Sequence, residues 1–138
     1  MSATPDIEAI KREILGLHRA DIQAHLDGDV EHIVQGQSSD FTSVHSGEVR
    51  RPTPEETRAA LTRYLDSTTF KEYRDLRDPI VGVSPDGSTA WSIVQVKVAG
   101  HRADASESPI DFTCAWITLY TRQGGAWKRI VEASTFKQ

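Results

Sequence analysis

Residues 110–136 read IDFTCAWITLYTR-QGG-AWKRIVEASTF. Two runs rich in β-branched and aromatic residues flank Gln123-Gly124-Gly125, a connection of hairpin length, so the stretch predicts two antiparallel strands. Upstream, residues 89–100 form a third β-rich run carrying Trp91, Ile93, Val94, Val96 and Val98. The polar loop 101–108 joins it to Ile110, and the three runs together predict an antiparallel meander. Before them, residues 72–83 read as extended, with Pro79 marking an edge or a bulge, and Pro85-Asp86-Gly87 as a turn.

The N-terminal half has the other period. Ile7, Ile10, Ile14 and Leu17 recur at three- and four-residue spacing, and Leu15, Ile22 and Leu26 widen the arc, predicting a helix over 6–26 with Thr4 as its cap. Gly28 ends it. Asp29 caps a short second helix through Val34, and Gly36 stops that one. Residues 39–45 read as a strand with a turn at Ser46-Gly47. Thr53-Pro54-Glu55-Glu56 starts a third helix, running to about Asp66. Helices segregated from a run of strands mean an α+β class: a curved antiparallel sheet wrapped around three N-terminal helices, with an internal pocket where the helices fail to fill its concave side.

The 138 residues fit one domain spanning 1–138. Hydrophobic residues make up 38% and charged residues 26%, with a net charge of −4 and no block of like charge. That balance argues against a nucleic-acid partner. No apolar run approaches the ~20 residues of a membrane span, and the polar N-terminus lacks a signal peptide, so a cytoplasmic protein with no membrane partner is expected. The one cysteine, Cys114, lies in an apolar run and reads as a buried, inert thiol. No phosphate loop, dinucleotide-binding glycine pattern or nucleophile elbow is present, and no cofactor is expected.

Three local signatures carry a family resemblance. They are Ala24-His25-Leu26-Asp27-Gly28-Asp29 at the end of the first helix; Phe41 to Gly47 followed by the Pro54-Glu55-Glu56 helix; and Ala115-Trp116 through Gly125-Ala126-Trp127-Lys128 to Ser134-Thr135-Phe136. In this order they resemble the nuclear-transport-factor-2-like superfamily, also called SnoaL-like or ketosteroid-isomerase-like, with its cystatin-like cone and internal pocket. The resemblance covers nearly the whole chain. It implies a shape shared by isomerases, dehydratases, cyclases and non-catalytic adaptors, so function has to be argued from the site.

On the first helix, Asp21 lies within the apolar arc, with His18 and His25 beside it. A carboxylate there must be paired, hydrated or protonated. The resemblance puts Asp21 where the isomerases carry their oxyanion tyrosine, seven residues before the helix-ending glycine, so that tyrosine is missing here. It also puts a base near the end of the first strand: matching on Gly28 gives His45, matching on Gly47 gives Val44. A neutral imidazole serves as a base near pH 7. His18 and His25 are too far apart along the helix to share one ion, and no metal is assigned.

Further candidates line the predicted pocket. Glu132 sits in the last strand, where strict alternation sets it with Ile130 and Ser134 and opposite Trp127, Arg129 and Val131. Gln95 is a polar group amid valines. Phe41, Trp91 and Trp116 supply apolar walls, and Tyr64 and Tyr73 the mouth. Two functions stay open. One is a small-molecule-binding protein, catalytic by cofactor-free proton transfer on an apolar carbonyl compound, with His45 as base and Asp21 as acid or hydrogen-bond donor. The other is a non-catalytic association module. Apolar residues on both sheet faces predict a homodimer through the exposed face under either.

Overall fold

The computed structural model describes residues 4–104 and 106–137. Helix α1 spans Ile7–Asp27, α2 Val30–Gln35 and α3 Pro54–Asp66. The cap of α1 is Asp6, not Thr4: its side chain accepts from the Ala9 amide at 3.0 Å, and the helix starts two residues later than the Thr4-Pro5 pair suggests. Gly28 closes the helix at φ +70°, and Asp29 caps α2 at once by accepting from the His32 amide. The α3 start is a full capping box, Thr53 and Glu56 each satisfying the other's backbone amide.

Seven strands follow: β1 Gln37–His45, β2 Glu48–Arg50, β3 Thr68–Asp75, β4 Ile80–Val83, β5 Thr89–Arg102, β6 Pro109–Gln123 and β7 Ala126–Lys137. They form one curved sheet in the order β2-β1-β7-β6-β5-β3, with β4 also paired to β5. Neighbours are antiparallel except β1, which runs parallel to β7. The extended segment expected over 72–83 is two strands. The chain bends at Leu76-Arg77, and β4 resumes directly after Pro79, whose ring offers no amide to a ladder.

The helices lie against the concave face. On β5 the even-numbered residues Ala90, Ser92, Val94, Val96 and Val98 are buried beneath them, and on β6 Cys114, Thr118 and Tyr120 continue the row. The N-terminal half of α1 packs Ile10 and Ile14 onto Ala90, Tyr120 and Trp127. Complete burial of Ile14 alone stabilises the fold by about 2 kcal/mol. Ala24, Ile33 and Leu65 join the three helices to one another. Between these clusters the concave face is left uncovered, and there the cavity lies.

No helix among the described residues is long and apolar enough to cross a membrane.

Candidate ligand cavity and its polar inner end

The cavity holds about 870 Å³, within the range of sites for small organic molecules. Four cross-strand pairs of β6 and β7 make its floor: Tyr120–Arg129, Thr118–Glu132, Trp116–Ser134 and Cys114–Phe136. They grade from buried and polar to exposed and aromatic. Tyr120 is 3% exposed and Arg129 7%, against 58% for Phe136, so the Arg129 end is the inner one and the Phe136 end the mouth. Phe112 meets Phe136 there, with ring centroids 5.5 Å apart.

This floor departs from strict alternation. Leu119 pairs with Val131 but Tyr120 pairs with Arg129, so Ile130 is an extra residue, a β-bulge. Arg129 and Glu132 therefore share the concave face, where alternation set them on opposite faces. Arg129 is anchored by α2. Its guanidinium donates to the Ile33 carbonyl and, at 3.4 Å, to Asp21 Oδ2, while its backbone amide donates to Gly36 O at 2.8 Å. A methyl at Gly36 would come within 2.5 Å of Arg129 Nη1, so glycine is what lets the guanidinium close on the helix end. Asp21 also faces His32, Nε2 to Oδ1 3.7 Å.

Glu132 sits beside this pair, and burial pushes its carboxyl above the usual range. Arg129 and a hydrogen bond from Thr118 oppose the rise; the charge of Asp21 adds to it. His25 is shifted the other way: burial lowers its imidazole below 6.5, only partly offset by Asp21. Its Nδ1 lies 2.7 Å from the Asp21 carbonyl. A carbonyl can only accept, so Nδ1 carries the proton and Nε2 of the neutral ring carries the lone pair. The ring packs against Tyr73, centroids 5.1 Å apart. Burial raises the Tyr73 and Tyr64 phenols and pushes Tyr120 up to about 12, so all three stay protonated at neutral pH. Burial also pushes Cys114 up to about 11, which keeps it a thiol.

Of the residues singled out from the sequence, Asp21, His18, His25, Phe41, Tyr64, Trp116 and Glu132 line the cavity. His18 is committed elsewhere, its Nε2 2.7 Å from Asp75 Oδ1 on β3 and its ring edge against Trp116. Three candidates are corrected. His45 is not in the cavity wall: it pairs with Glu48 at the tip of the β1–β2 hairpin, four residues and so about 13 Å along the strand from Phe41. Trp91 and Gln95 are odd-numbered residues of β5 and point to the convex face. Trp91 there covers Gly82 of β4, so closely that a methyl at Gly82 would strike its ring at 2.1 Å. Asp21 accepts from Arg129 through Oδ2. Arg129 is the cavity residue that alternation concealed. It stands next to Lys128 in a strand of mixed polarity, and no local signal sets it apart.

Among the described residues, no three of His, Cys, Asp and Glu come together as a metal site.

No protein-family model matches the chain, and no curated protein does. Solved structures do. An NTF2-like protein from Cytophaga hutchinsonii superposes with a TM-score of 0.71 at 22% identity, covering 90% of this chain and 95% of that one. A candidate calcium/calmodulin-dependent protein kinase II association domain from Xanthomonas campestris gives 0.69 at 20% identity, covering 96% and 91%. A candidate ketosteroid isomerase from Shewanella frigidimarina gives 0.65 at 17% identity, covering 87% and 92%. At such identities the likeness is one of fold.

Proposed function

The chain has the nuclear-transport-factor-2-like fold, and on that scaffold we propose a protein that binds a small, largely apolar molecule whose one hydrogen-bond-accepting oxygen enters first, with proton transfer at that oxygen as its chemistry. The observation that carries this is the graded floor of the cavity, aromatic at the mouth and ending on Arg129, held by Asp21, and on Glu132, with His25 lining the same cavity against Tyr73. Arg129 is a donor, and burial drives the Glu132 carboxyl toward its protonated, donating form, the complement of a carbonyl or enolate oxygen. His25 Nε2 is a lone pair on the same cavity, suited to take a proton from the carbon next to that carbonyl. Asp21 holds Arg129 in position. Two groups driven in opposite directions, a carboxyl toward holding its proton and an imidazole toward giving its proton up, are the usual signs of an acid and a base at work. His45 has no part in this reading.

The test is a binding series of matched cyclic ketones, alcohols and hydrocarbons, followed by calorimetry and by solvent-deuterium incorporation next to the carbonyl. Ketones should bind best, and Arg129→Met and Glu132→Ala should each remove that preference. Equal affinity for hydrocarbon and ketone sinks the reading.

A second reading, association, has its own observation. Ile93 and Ile117 are paired on the convex face and are 39% and 41% exposed. Trp91 and Leu119 flank them along the same two strands, and Ala133 on β7. A second copy of the chain would cover this face, and association through a sheet also suits a neighbour described as an association domain. Ile117→Lys should turn a dimer into a monomer in sedimentation; a parent chain that is already monomeric rules the dimer out. Binding and association are compatible, since they use opposite faces.

A further inference from the structure

Asp21, Tyr120 and Arg129 form one wall with a cavity on each side. The large cavity lies in front of them. Behind lies a second one of about 150 Å³, lined also by Leu17, His32, Gln35, Gly36, Trp127 and Lys128. It has room for several waters at about 30 Å³ each, and polar groups enough to hold them. Its outer side reaches solvent at His32, whose side chain is 42% exposed. Its cations do not make it an anion site: Lys128 Nζ donates to the Gln35 carbonyl and Arg129 to that of Ile33, so both serve the last turn of α2.

We propose that this second cavity is a water-filled rear port, through which the inner end of the ligand cavity exchanges protons with solvent. His32 is its outer relay and Asp21 its inner one. The proposal rests on the reading that protons are transferred at the inner end. A ligand lying along the aromatic floor closes the mouth route at Phe112 and Phe136. A proton changing hands beneath it then needs another way to water. His32 binds a proton at the surface and releases one from Nε2, and one bridging water carries it across the 3.7 Å to Asp21 Oδ1. The proton lost by the imidazolium is the one gained by the carboxylate. The Asp21 carboxyl also faces the large cavity, so the proton arrives on the ligand side without passing the mouth. Arg129 stays charged throughout, since a guanidinium does not release its proton.

The guanidinium protons of Arg129 report on whichever route admits water, and nuclear magnetic resonance reads their exchange with no ligand present. The outcome is therefore separate from the fate of the ligand reading itself. Three variants of the whole chain decide it. Leu17→Phe fills the rear cavity, His32→Leu removes the relay at a half-exposed position, and Cys114→Phe fills the front cavity, with Ser134→Phe in its place if that chain does not fold. Combined with the front-filling change, which stands in for a bound ligand by closing the mouth route, each of the first two is expected to slow Arg129 exchange about ten-fold or more, while the front-filling change alone leaves exchange open through the rear, within about ten-fold of the parent. Any other pattern overturns it, including exchange slowed beyond that by the front change alone or by neither combination.

Discussion

Arg129 and Glu132, three residues apart on β7, lie on the same face of the sheet because Ile130 is bulged out between them. The bulge is what makes the cavity chemically interesting. Without the extra residue one of the two would point to the convex face, leaving either a buried carboxyl with no cation near it or a buried guanidinium paired with Asp21 alone. With it, one guanidinium stands between a carboxylate it holds and a carboxyl whose pKa burial raises.

The raised Glu132 carboxyl has a consequence for stability. Its folded pKa lies above the ordinary 4.5, so between those two values the native state holds more protons than the unfolded one. Stability then falls as pH rises through that window and stays lower above it. Glu132→Gln removes the slope. The variant should melt at a higher temperature than the parent at pH 8, with the gap closing as pH approaches 4.5. A gap that is constant with pH would mean the carboxyl is not raised.

Gly36→Ala tests the seat of Arg129. The added methyl meets Nη1 at 2.5 Å, and the guanidinium can yield only by leaving the Ile33 carbonyl or Asp21. The expected cost is about 1–3 kcal/mol, read from urea unfolding. Arg129→Met should cost more, about 3 kcal/mol, because it strands the Ile33 carbonyl and the Asp21 carboxylate together. An alanine at 36 as stable as glycine would show that the arginine has another resting place.

How much of this was legible in the sequence follows from how local each signal is. The helix starts at Asp29 and Thr53, the stops at Gly28 and Gly36, and the β5–β6–β7 meander are written in residues next to one another. The class of fold followed from them. Asp21 and His25 could be placed facing inward because helical periodicity is fixed at 3.6 residues. Strand faces are more fragile. One extra residue at Ile130 reverses every assignment beyond it, and nothing in the sequence marks Ile130 as the residue that steps out of line. His45 failed for another reason: its parity agrees with that of Phe41, and only distance along β1 removes it from the cavity. The parallel pairing of β1 with β7 joins residues about ninety apart, which no local pattern records.

His25 supplies a slope of the opposite sign. Burial holds its folded pKa below 6.5, so between that folded value and 6.5 the unfolded state holds more protons and stability rises with pH. Acidification from pH 6.5 downward should therefore destabilise the parent until the folded ring is charged too. His25→Gln should lose this component, so that the variant gains on the parent as pH drops below 6.5. Histidine resonances give the same answer directly: the His25 ring should titrate below 6.5, and a midpoint at or above it contradicts the neutral, lone-pair-bearing Nε2 on which its role as base depends.

His18 and Asp75 provide the last test, one that separates structure from chemistry. His18 is 3% exposed, and its Nε2 lies 2.7 Å from Asp75 Oδ1 on β3, tying the middle of α1 to the sheet across 57 residues of sequence. His18→Phe keeps the ring and its edge contact with Trp116 but removes the hydrogen bond, leaving a partly buried carboxylate to find water. The cost should be about 1–3 kcal/mol. Asp75→Asn keeps an acceptor for the ring and should cost less, about 1 kcal/mol. Because the bond is spent on holding α1, neither change should abolish the preference for a ketone over its hydrocarbon. If His18→Phe removed that preference at unchanged stability, the imidazole would belong with His25 and Arg129 in the site rather than in the scaffold.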